Sequence, residues 1–183
     1  MKKDDDLIRE ILDFWFSDRA RALWFNSTPE FDEEIRERFE EAWGLARAGV
    51  YDHWEEDPEG ALALVILLDQ FPLNMFRGDA RSWSTEARAR EVARNAIAQG
   101  FDRDMTPEQK VFLYMPFMHS EKLEDQDYAI ELFERAGLED NLRYARHHRD
   151  VVARFGRFPH RNAGLGRDST AEEIEYLKKA RWQ

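Results

Sequence analysis

The sequence contains no cysteine, which removes a whole class of chemistry. Disulfides, thiolate metal sites, iron–sulfur clusters and cysteine nucleophiles are excluded, so any metal would have to be bound by histidine, aspartate or glutamate. Long apolar runs are missing too, since no stretch approaches the roughly 18 residues of a membrane span. The first ten residues are mostly charged, where a secretory signal needs an apolar segment. We therefore expect a cytoplasmic protein that does not associate with membranes.

Positive charge is scarce over most of the chain. The 38 aspartates and glutamates outnumber the 27 lysines and arginines, for a formal net charge of −11. This charge repels nucleic acid at long range, so we expect no nucleic-acid partner. One segment differs: between Arg143 and Arg167 there are seven arginines and three histidines but a single acid, Asp150. The protein therefore has a basic segment near one end of an acidic chain.

The remaining composition predicts one folded all-α domain over residues 1–183. Hydrophobic residues make up 43% and charged residues 36%, which is a globular balance. Strand alternation is absent, whereas apolar residues recur at helical spacing. Proline, glycine and capping residues divide the chain into about eight helical segments, which we expect to form a bundle of antiparallel pairs. A repeat of constant length is not found, so a regular repeat array is not supported.

Local signals place the helices. A capping residue followed by proline opens three of them, because proline fits the first helical position. These pairs are Thr28–Pro29, Asp57–Pro58 and Thr106–Pro107. The stretch from Ala61 to Leu68 is apolar all round, which predicts the central buried helix, and Asp69 and Gln70 are expected to end it. Pro116 is expected to kink or end the helix that contains it.

Four strings in the chain carry a family resemblance. They are LDFWF at 12–16, LLDQFPLNMFRG at 67–78, PFMHSE at 116–121 and HRDVVARFGRFPHRNAGLGRDST at 148–170. Together they resemble the bacterial domain-of-unknown-function family 924, over about residues 7–180. The resemblance implies a small all-α, tetratricopeptide-like fold, but no agreed activity, substrate or cofactor. The family pattern has arginine after DQFP, where this chain has Leu73, so a site that depends on that arginine would be changed or lost here.

Polar residues that interrupt apolar stretches are the candidate catalytic groups. Asp69 follows the apolar helix, His119 and Glu121 follow another apolar segment, and His148 lies in the apolar stripe of a later helix. Buried polar groups need partners, so we expect Asp69, His119, His148 and Arg161 to lie close together. A purely structural interpretation stays open, in which Asp69 is a capping residue and His148 is a core histidine bonded to a carboxylate.

The long loop at 156–168 combines glycines with hydrogen-bond donors. Glycine lets a backbone approach a ligand closely, and guanidinium groups bind carboxylate or phosphate with two hydrogen bonds. The candidate ligand-binding residues are Gln70, Arg77, Arg157, His160, Arg161 and Asn162. The alternative is that these arginines pair with the protein's own acids and fasten the loop. Neither a phosphate-loop pattern nor a GxSxG serine motif occurs.

No metal site and no cofactor are expected. His119 and Glu121 are two residues apart and point to different faces of a helix, and no further ligand follows at a recognised spacing.

Two functions remain in view. The first is a pocket for a small anionic molecule, in which a carboxylate and His119 or His148 perform acid–base work in a hydrolytic reaction. The alternative is a tetratricopeptide-like module that binds a peptide or protein partner without catalysis. Convergence of the four strings on an enclosed cavity favours the pocket, and exposed aromatics along a groove favour the module. The aromatic candidates are Trp24, Trp54, Trp83 and Trp182.

Overall fold

The computed structural model describes residues 2–179, and within this range it contains helices and no strand. The α-helices are α1 Lys2–Trp15, α2 Asp18–Arg21, α3 Pro29–Arg47, α4 Pro58–Val65, α5 Phe71–Met75, α6 Glu86–Ala98, α7 Pro107–Met118, α8 Leu123–Arg135, α9 Glu139–Phe155 and α10 Ala171–Lys179. Short 3-10 turns lie at Asp52–Glu56, Ala80–Trp83, Phe101–Asp104 and Pro159–Arg161. The predicted all-α class is confirmed.

The helices begin where the capping signals predict. Thr28 and Asp57 each accept a hydrogen bond from a backbone N–H in the first turn of α3 and α4. Thr106 and Gln109 form both halves of a capping box at the start of α7. These bonds satisfy N–H groups that have no partner inside the helix. None of the helices in the described range is long and apolar enough to cross a membrane.

The core forms around α4. Every residue from Ala61 to Leu68 is buried, and α4 contacts α1, α6 and α7, which confirms the prediction of a central buried helix. Aromatic side chains from the surrounding helices fill the space beside it, with ring centroids 4.7 Å apart for Phe39 and Phe71 and 5.4 Å apart for Trp15 and Phe112. Each fully buried large side chain contributes about 1.5–3 kcal/mol to stability.

The prediction that Asp69 and Gln70 end the central helix is wrong. The helix continues through a π turn, Ile66–Gln70, into α5. In this turn the N–H of Phe71 donates to the carbonyl of Ile66, five residues earlier. One extra residue in the turn rotates the side chains that follow, so Asp69 and Gln70 are held inside the bundle as part of a continuous helix.

Pro72 accounts for the local hydrogen-bonding pattern. Proline has no N–H, so the carbonyl of Leu68 loses its usual helical donor. The Thr85 hydroxyl donates to that carbonyl at 2.5 Å and in turn accepts from the indole N–H of Trp43 at 3.2 Å. The irregular turn is therefore completed by side chains from α3 and from the residue that precedes α6.

Pro116 does not end its helix. α7 continues beyond Pro116 to Met118. His119 ends the helix, and its backbone N–H donates to the carbonyl of Met115 at 3.0 Å. The segment 156–168 is a loop as predicted, apart from the single turn Pro159–Arg161. His119 is thus placed at the end of α7, facing the loop that carries Arg161.

Candidate functional site

Four ionisable side chains from four separate segments meet inside the bundle. They are Asp69 in the π turn, Glu86 in α6, His119 after α7 and Arg161 in the loop, and we call them the charged cluster. Asp69 Oδ1 lies 2.9 Å from His119 Nδ1. Arg161 Nη1 donates to Glu86 Oε2 at 2.9 Å, and Arg161 Nη2 donates to the backbone carbonyl of His119 at 3.0 Å. The cluster is almost closed to solvent, since the most exposed of its side chains, His119, is 13% accessible.

Packing fixes the direction of each cluster side chain. Asp69 also accepts from Gln70 Nε2 at 2.5 Å, which occupies its second carboxylate oxygen. The guanidinium of Arg161 lies over the rings of Phe158 and Trp83, 4.8 Å and 5.5 Å from their centroids. Stacking on these aromatic faces adds to the two hydrogen bonds of the guanidinium and holds it in one orientation.

The protonation equilibria inside the cluster depend on burial and on neighbouring charges. Burial opposes the charged form of His119, but the charge and hydrogen bond of Asp69, together with Glu86, outweigh it and raise the pKa of His119. Burial raises the pKa of Glu86, despite the opposing charges of Arg161 and His119. The proton of the cluster is therefore held on His119 more firmly than in water, and Glu86 is shifted towards its neutral form.

Two atoms of the cluster have no hydrogen-bond partner in the described part of the chain. They are Glu86 Oε1 and Arg161 Nε, and both are buried. Buried polar atoms are nearly always satisfied, by protein, water or a ligand. Glu86 Oε1 and Arg161 Nε are therefore one acceptor and one donor that a buried water or a bound molecule can satisfy.

The arrangement of Asp69 and His119 suits proton transfer. A carboxylate on Nδ1 fixes the tautomer and orientation of the imidazole and leaves Nε2 for reaction. Arg161 adds a permanent positive charge next to the same residue. A group of this kind can exchange a proton at Nε2 and hold a negative charge beside it.

Glu121 lies outside the charged cluster. Its carboxylate accepts hydrogen bonds from Nη1 and Nη2 of Arg167, at 2.7 and 2.9 Å. It also accepts one from the backbone N–H of Phe158 at 2.8 Å. These contacts fasten the loop to the end of α7. They keep the pKa of Glu121 below its usual range in spite of burial.

His148 lies near the cluster, within electrostatic range of His119 and Arg161. Its Nδ1 lies 2.8 Å from the backbone carbonyl of Tyr144, and its ring is 5.4 Å from that of Phe158. Burial lowers the pKa of His148 to about 4. The neutral ring is therefore the stable form at pH 7.

The loop arginines have carboxylate partners within the protein. Arg157 Nε donates to Glu173 at 2.7 Å, and Asn162 Nδ2 reaches the same carboxylate at 3.3 Å. With Arg161 on Glu86 and Arg167 on Glu121, the contacts match the interpretation in which the arginines pair with the protein's own acids. Gly164 packs so closely that an added Cβ would lie 2.8 Å from the ring of Trp83.

Arg77 lies apart from the cluster: it is exposed and binds Asp32 with Nε at 3.0 Å, beyond the end of α5. His160 lies beside the cluster, next to Arg161 in the loop, with its ring 5.6 Å from that of Phe158. Burial and the nearby positive charge of Arg161 lower the pKa of His160 to about 3. Leu73, where the family resemblance implies an arginine, is half-buried in α5.

Glu86 is the cluster member that the sequence does not reveal. It is the first residue of α6, where an acid is ordinarily explained by its favourable interaction with the helix N-terminus. Its partner Arg161 lies 75 positions away. A regular capping signal therefore hides a buried ion pair.

Two features would distinguish the functions: an enclosed cavity at the four strings, or exposed aromatics along a groove. Neither is present in simple form among the described residues. Five clefts of about 240 to 650 Å³ lie on the described surface, and none of the five is lined by Asp69, His119 or Arg161. Of the aromatic candidates, Trp54 is buried, Trp24 and Trp83 are half-buried, and Trp182 lies outside the described residues. No group of three or more histidines and carboxylates among the described residues is placed to hold a metal ion.

Comparison with known proteins agrees with the four strings. The model of the family "Bacterial protein of unknown function (DUF924)" matches residues 11–181. The chain belongs to the DUF924 family. A solved structure of a protein of unknown function, ATU0120 from Agrobacterium tumefaciens, is similar to it, with 41% identity and a TM-score of 0.90. The similarity covers 96% of this chain and 99% of the other. Among curated proteins, none matches the chain.

Proposed function

We propose that the protein binds a small anionic molecule beside His119 and Arg161 and performs acid–base chemistry on it, with hydrolysis as the reaction class. The observation that carries the proposal is the 2.9 Å contact between Asp69 Oδ1 and His119 Nδ1 inside the charged cluster. A histidine oriented by a carboxylate can act as a general acid or as a general base.

The energetic cost of the charged cluster supports this role. Removing a charged group from water costs several kcal/mol, and pairing rarely returns more than well-packed apolar side chains would. Asp69 also lies in a π turn, a feature that is frequent at functional sites. Strongly perturbed ionisable groups in contact with one another are typical of active sites, although structural ion pairs share the property.

Arg161 and Glu86 explain the preference for an anion. Arg161 Nε has no acceptor in the described chain, so an anion placed there gains a charge-assisted hydrogen bond. The raised pKa of Glu86 means that this carboxylate takes up a proton readily. When Glu86 is protonated, it no longer compensates the positive charge of Arg161. Proton uptake and anion binding are therefore expected to occur together.

The test is a screen of small carboxylic and phosphoric esters for hydrolysis. His119→Gln should lower kcat about 10²- to 10⁴-fold, the usual contribution of general acid–base catalysis. His147→Gln, at an exposed neighbouring histidine, serves as the control and should match the wild type. Circular dichroism of both variants checks that they fold. Absence of hydrolysis for every ester, or equal rates in the two variants, would rule out the hydrolytic assignment.

A tetratricopeptide-like interaction module without catalysis is the second candidate, and one observation favours it. Phe25 is 61% exposed and lies edge-on to Trp24, and with Val111 and Leu138 these residues line a cleft of about 240 Å³. An exposed aromatic in a mainly apolar cleft can bury a side chain of a bound peptide. Selection from a displayed peptide library should then yield a consensus that Phe25→Ser no longer binds. A library without any consensus would count against the module.

A further inference from the structure

One of the five surface clefts, remote in sequence from the loop of the charged cluster, is lined by more cationic than acidic side chains. It lies between the turn Phe101–Asp104 and helices α7 and α8, and its volume is about 400 Å³. Arg103, Lys110 and Arg135 line it together with Tyr114. Clefts of about 300–1,000 Å³ are typical of small-molecule sites. We propose that this cleft binds a small phosphate monoester through its doubly charged phosphate group.

The cations of this cleft differ from most others in the protein. Within the described residues, no carboxylate oxygen lies within 4.0 Å of a side-chain nitrogen of Arg103 or Lys110, so neither forms an ion pair there. Arg135 has one long ion-pair contact among the described residues, 3.4 Å from its Nη2 to Asp102 Oδ2, and its side chain is 62% exposed. In a protein of net charge −11, where acids are in excess, two cations without a partner in one cleft are a local feature that ordinary ion pairing does not explain.

The floor of the cleft contains a buried hydrogen bond. Asp102 is buried, and its carboxylate accepts a hydrogen bond from the hydroxyl of Tyr114 at 2.6 Å. This carboxylate therefore already has a partner. Lys110 and Tyr114 are four residues apart on α7 and therefore lie on the same face of the helix. Arg103 lies against Gly100, where an added Cβ would be 3.0 Å from its Nε. The backbone thus leaves room for the guanidinium at the edge of the cleft.

The chemistry of these groups favours phosphate. An arginine presents two parallel N–H groups to an oxyanion, and a lysine adds a compact charge that can contact a third oxygen. The three cations exceed the single engaged carboxylate, so a dianion is better compensated than a monoanion. Ile97 also lines the cleft and provides apolar surface for the organic part of a monoester.

The proposal is tested by isothermal titration of the full chain with phenyl phosphate at low ionic strength. Arg103→Gln and Lys110→Gln should each raise Kd about five- to tenfold, as expected for loss of one charge-assisted contact. Lys122→Gln is the matched control, because Lys122 is also an exposed-surface cation with no ion pair among the described residues, and it should change Kd less than twofold. All three positions are at the surface, so the fold should be retained.

Two further measurements distinguish binding in this cleft from binding at the charged cluster. His119→Gln should leave phenyl phosphate binding in the cleft unchanged, whereas binding lost only in His119→Gln would overturn the cleft and support the cluster. Binding of succinate more tightly than phenyl phosphate would overturn the assignment to phosphate. Absence of saturable binding, or an equal loss in Lys122→Gln, would overturn the proposal as a whole.

Discussion

At the scale of single residues, His119 and His148 have opposite responses to the same interior. Both residues are half-buried, but His119 contacts a carboxylate, whereas Nδ1 of His148 faces the carbonyl of Tyr144. Burial alone disfavours the imidazolium, and only a nearby negative charge reverses that effect. The pKa of His119 is accordingly raised, and that of His148 is lowered to about 4.

Asp69→Asn should lower the pKa of His119. The substitution keeps the shape of the side chain and removes its charge, so the unfavourable burial of the imidazolium is no longer outweighed. Titration of the imidazole Cε1–H signal by NMR measures the change. Asp127→Asn, at an exposed acid bound to Arg149, is the control and should leave the pKa unaltered. An unchanged His119 pKa in Asp69→Asn would show that Asp69 does not set its protonation.

His148 should make the protein sensitive to mild acid. Because the folded-state pKa of about 4 is below the ordinary 6.5, its stabilising contribution is complete above pH 6.5 and is lost as the pH falls towards 4. Relative to His148→Gln, the wild type should lose on the order of 2–3 kcal/mol between pH 7 and pH 4. Urea unfolding at several pH values measures this difference. Parallel pH profiles for the two proteins would contradict it.

At the scale of helices, the central element is shaped by an interaction that is distant in sequence. Pro72 removes a donor from the carbonyl of Leu68, and the Thr85 hydroxyl replaces it. The π turn then brings Asp69 to the end of α7 instead of leaving it at the end of a helix. The position of the candidate acid–base group therefore depends on how the proline is accommodated.

Thr85→Val should destabilise the protein by about 1–3 kcal/mol, the cost of leaving buried polar groups without partners. The substitution preserves volume but removes the hydrogen bonds to the Leu68 carbonyl and from the Trp43 indole. Chemical denaturation gives the free energy of unfolding. Ser84→Ala, at an exposed hydroxyl one residue earlier, should stay within about 0.5 kcal/mol of the wild type. Equal losses in both variants would disprove the role given to Thr85.

Gly164→Ala should loosen the loop. The new methyl group would meet Trp83 at 2.8 Å and the carbonyl of Gly78 at 2.9 Å, so a loss of about 1–3 kcal/mol is expected from overpacking. Gly44→Ala, in α3 with no atom within 4 Å of the added Cβ, should instead stabilise by about 0.5–1 kcal/mol. Melting temperatures of the two variants should move in opposite directions. A shift in the same direction would indicate that the loop does not pack against Trp83 as described.

At the scale of the whole molecule, local signals predict the helices better than the site. Thr28, Asp57 and Thr106 carry their information within one turn of chain, and the structure confirms each cap. Arg161 and Glu86 carry no such signal, because their pairing across 75 positions depends on how the loop packs on the bundle. Polar residues in apolar stretches could therefore be predicted as members of a buried cluster, but not their individual partners.

The overall charge explains why most of the basic segment is not an open anion site. The excess of acids supplies carboxylates to Arg157, Arg161 and Arg167, which fastens the loop to α10, to α6 and to the segment that follows α7. Structural fastening and anion binding are not exclusive, because Arg161 Nε is left without an acceptor in the described chain. The two roles differ in whether an anion reaches that atom.

The most direct test of the charged cluster as an anion site is an NMR titration of the wild-type protein with inorganic phosphate. The signals of Arg161 Nε–H and the His119 ring nitrogens should shift with one common Kd, and the pKa of His119 should rise further because the bound anion stabilises the imidazolium. Signals that stay unmoved while phosphate binds elsewhere would contradict this account. The cluster would then be a structural fastening that holds the loop on the bundle.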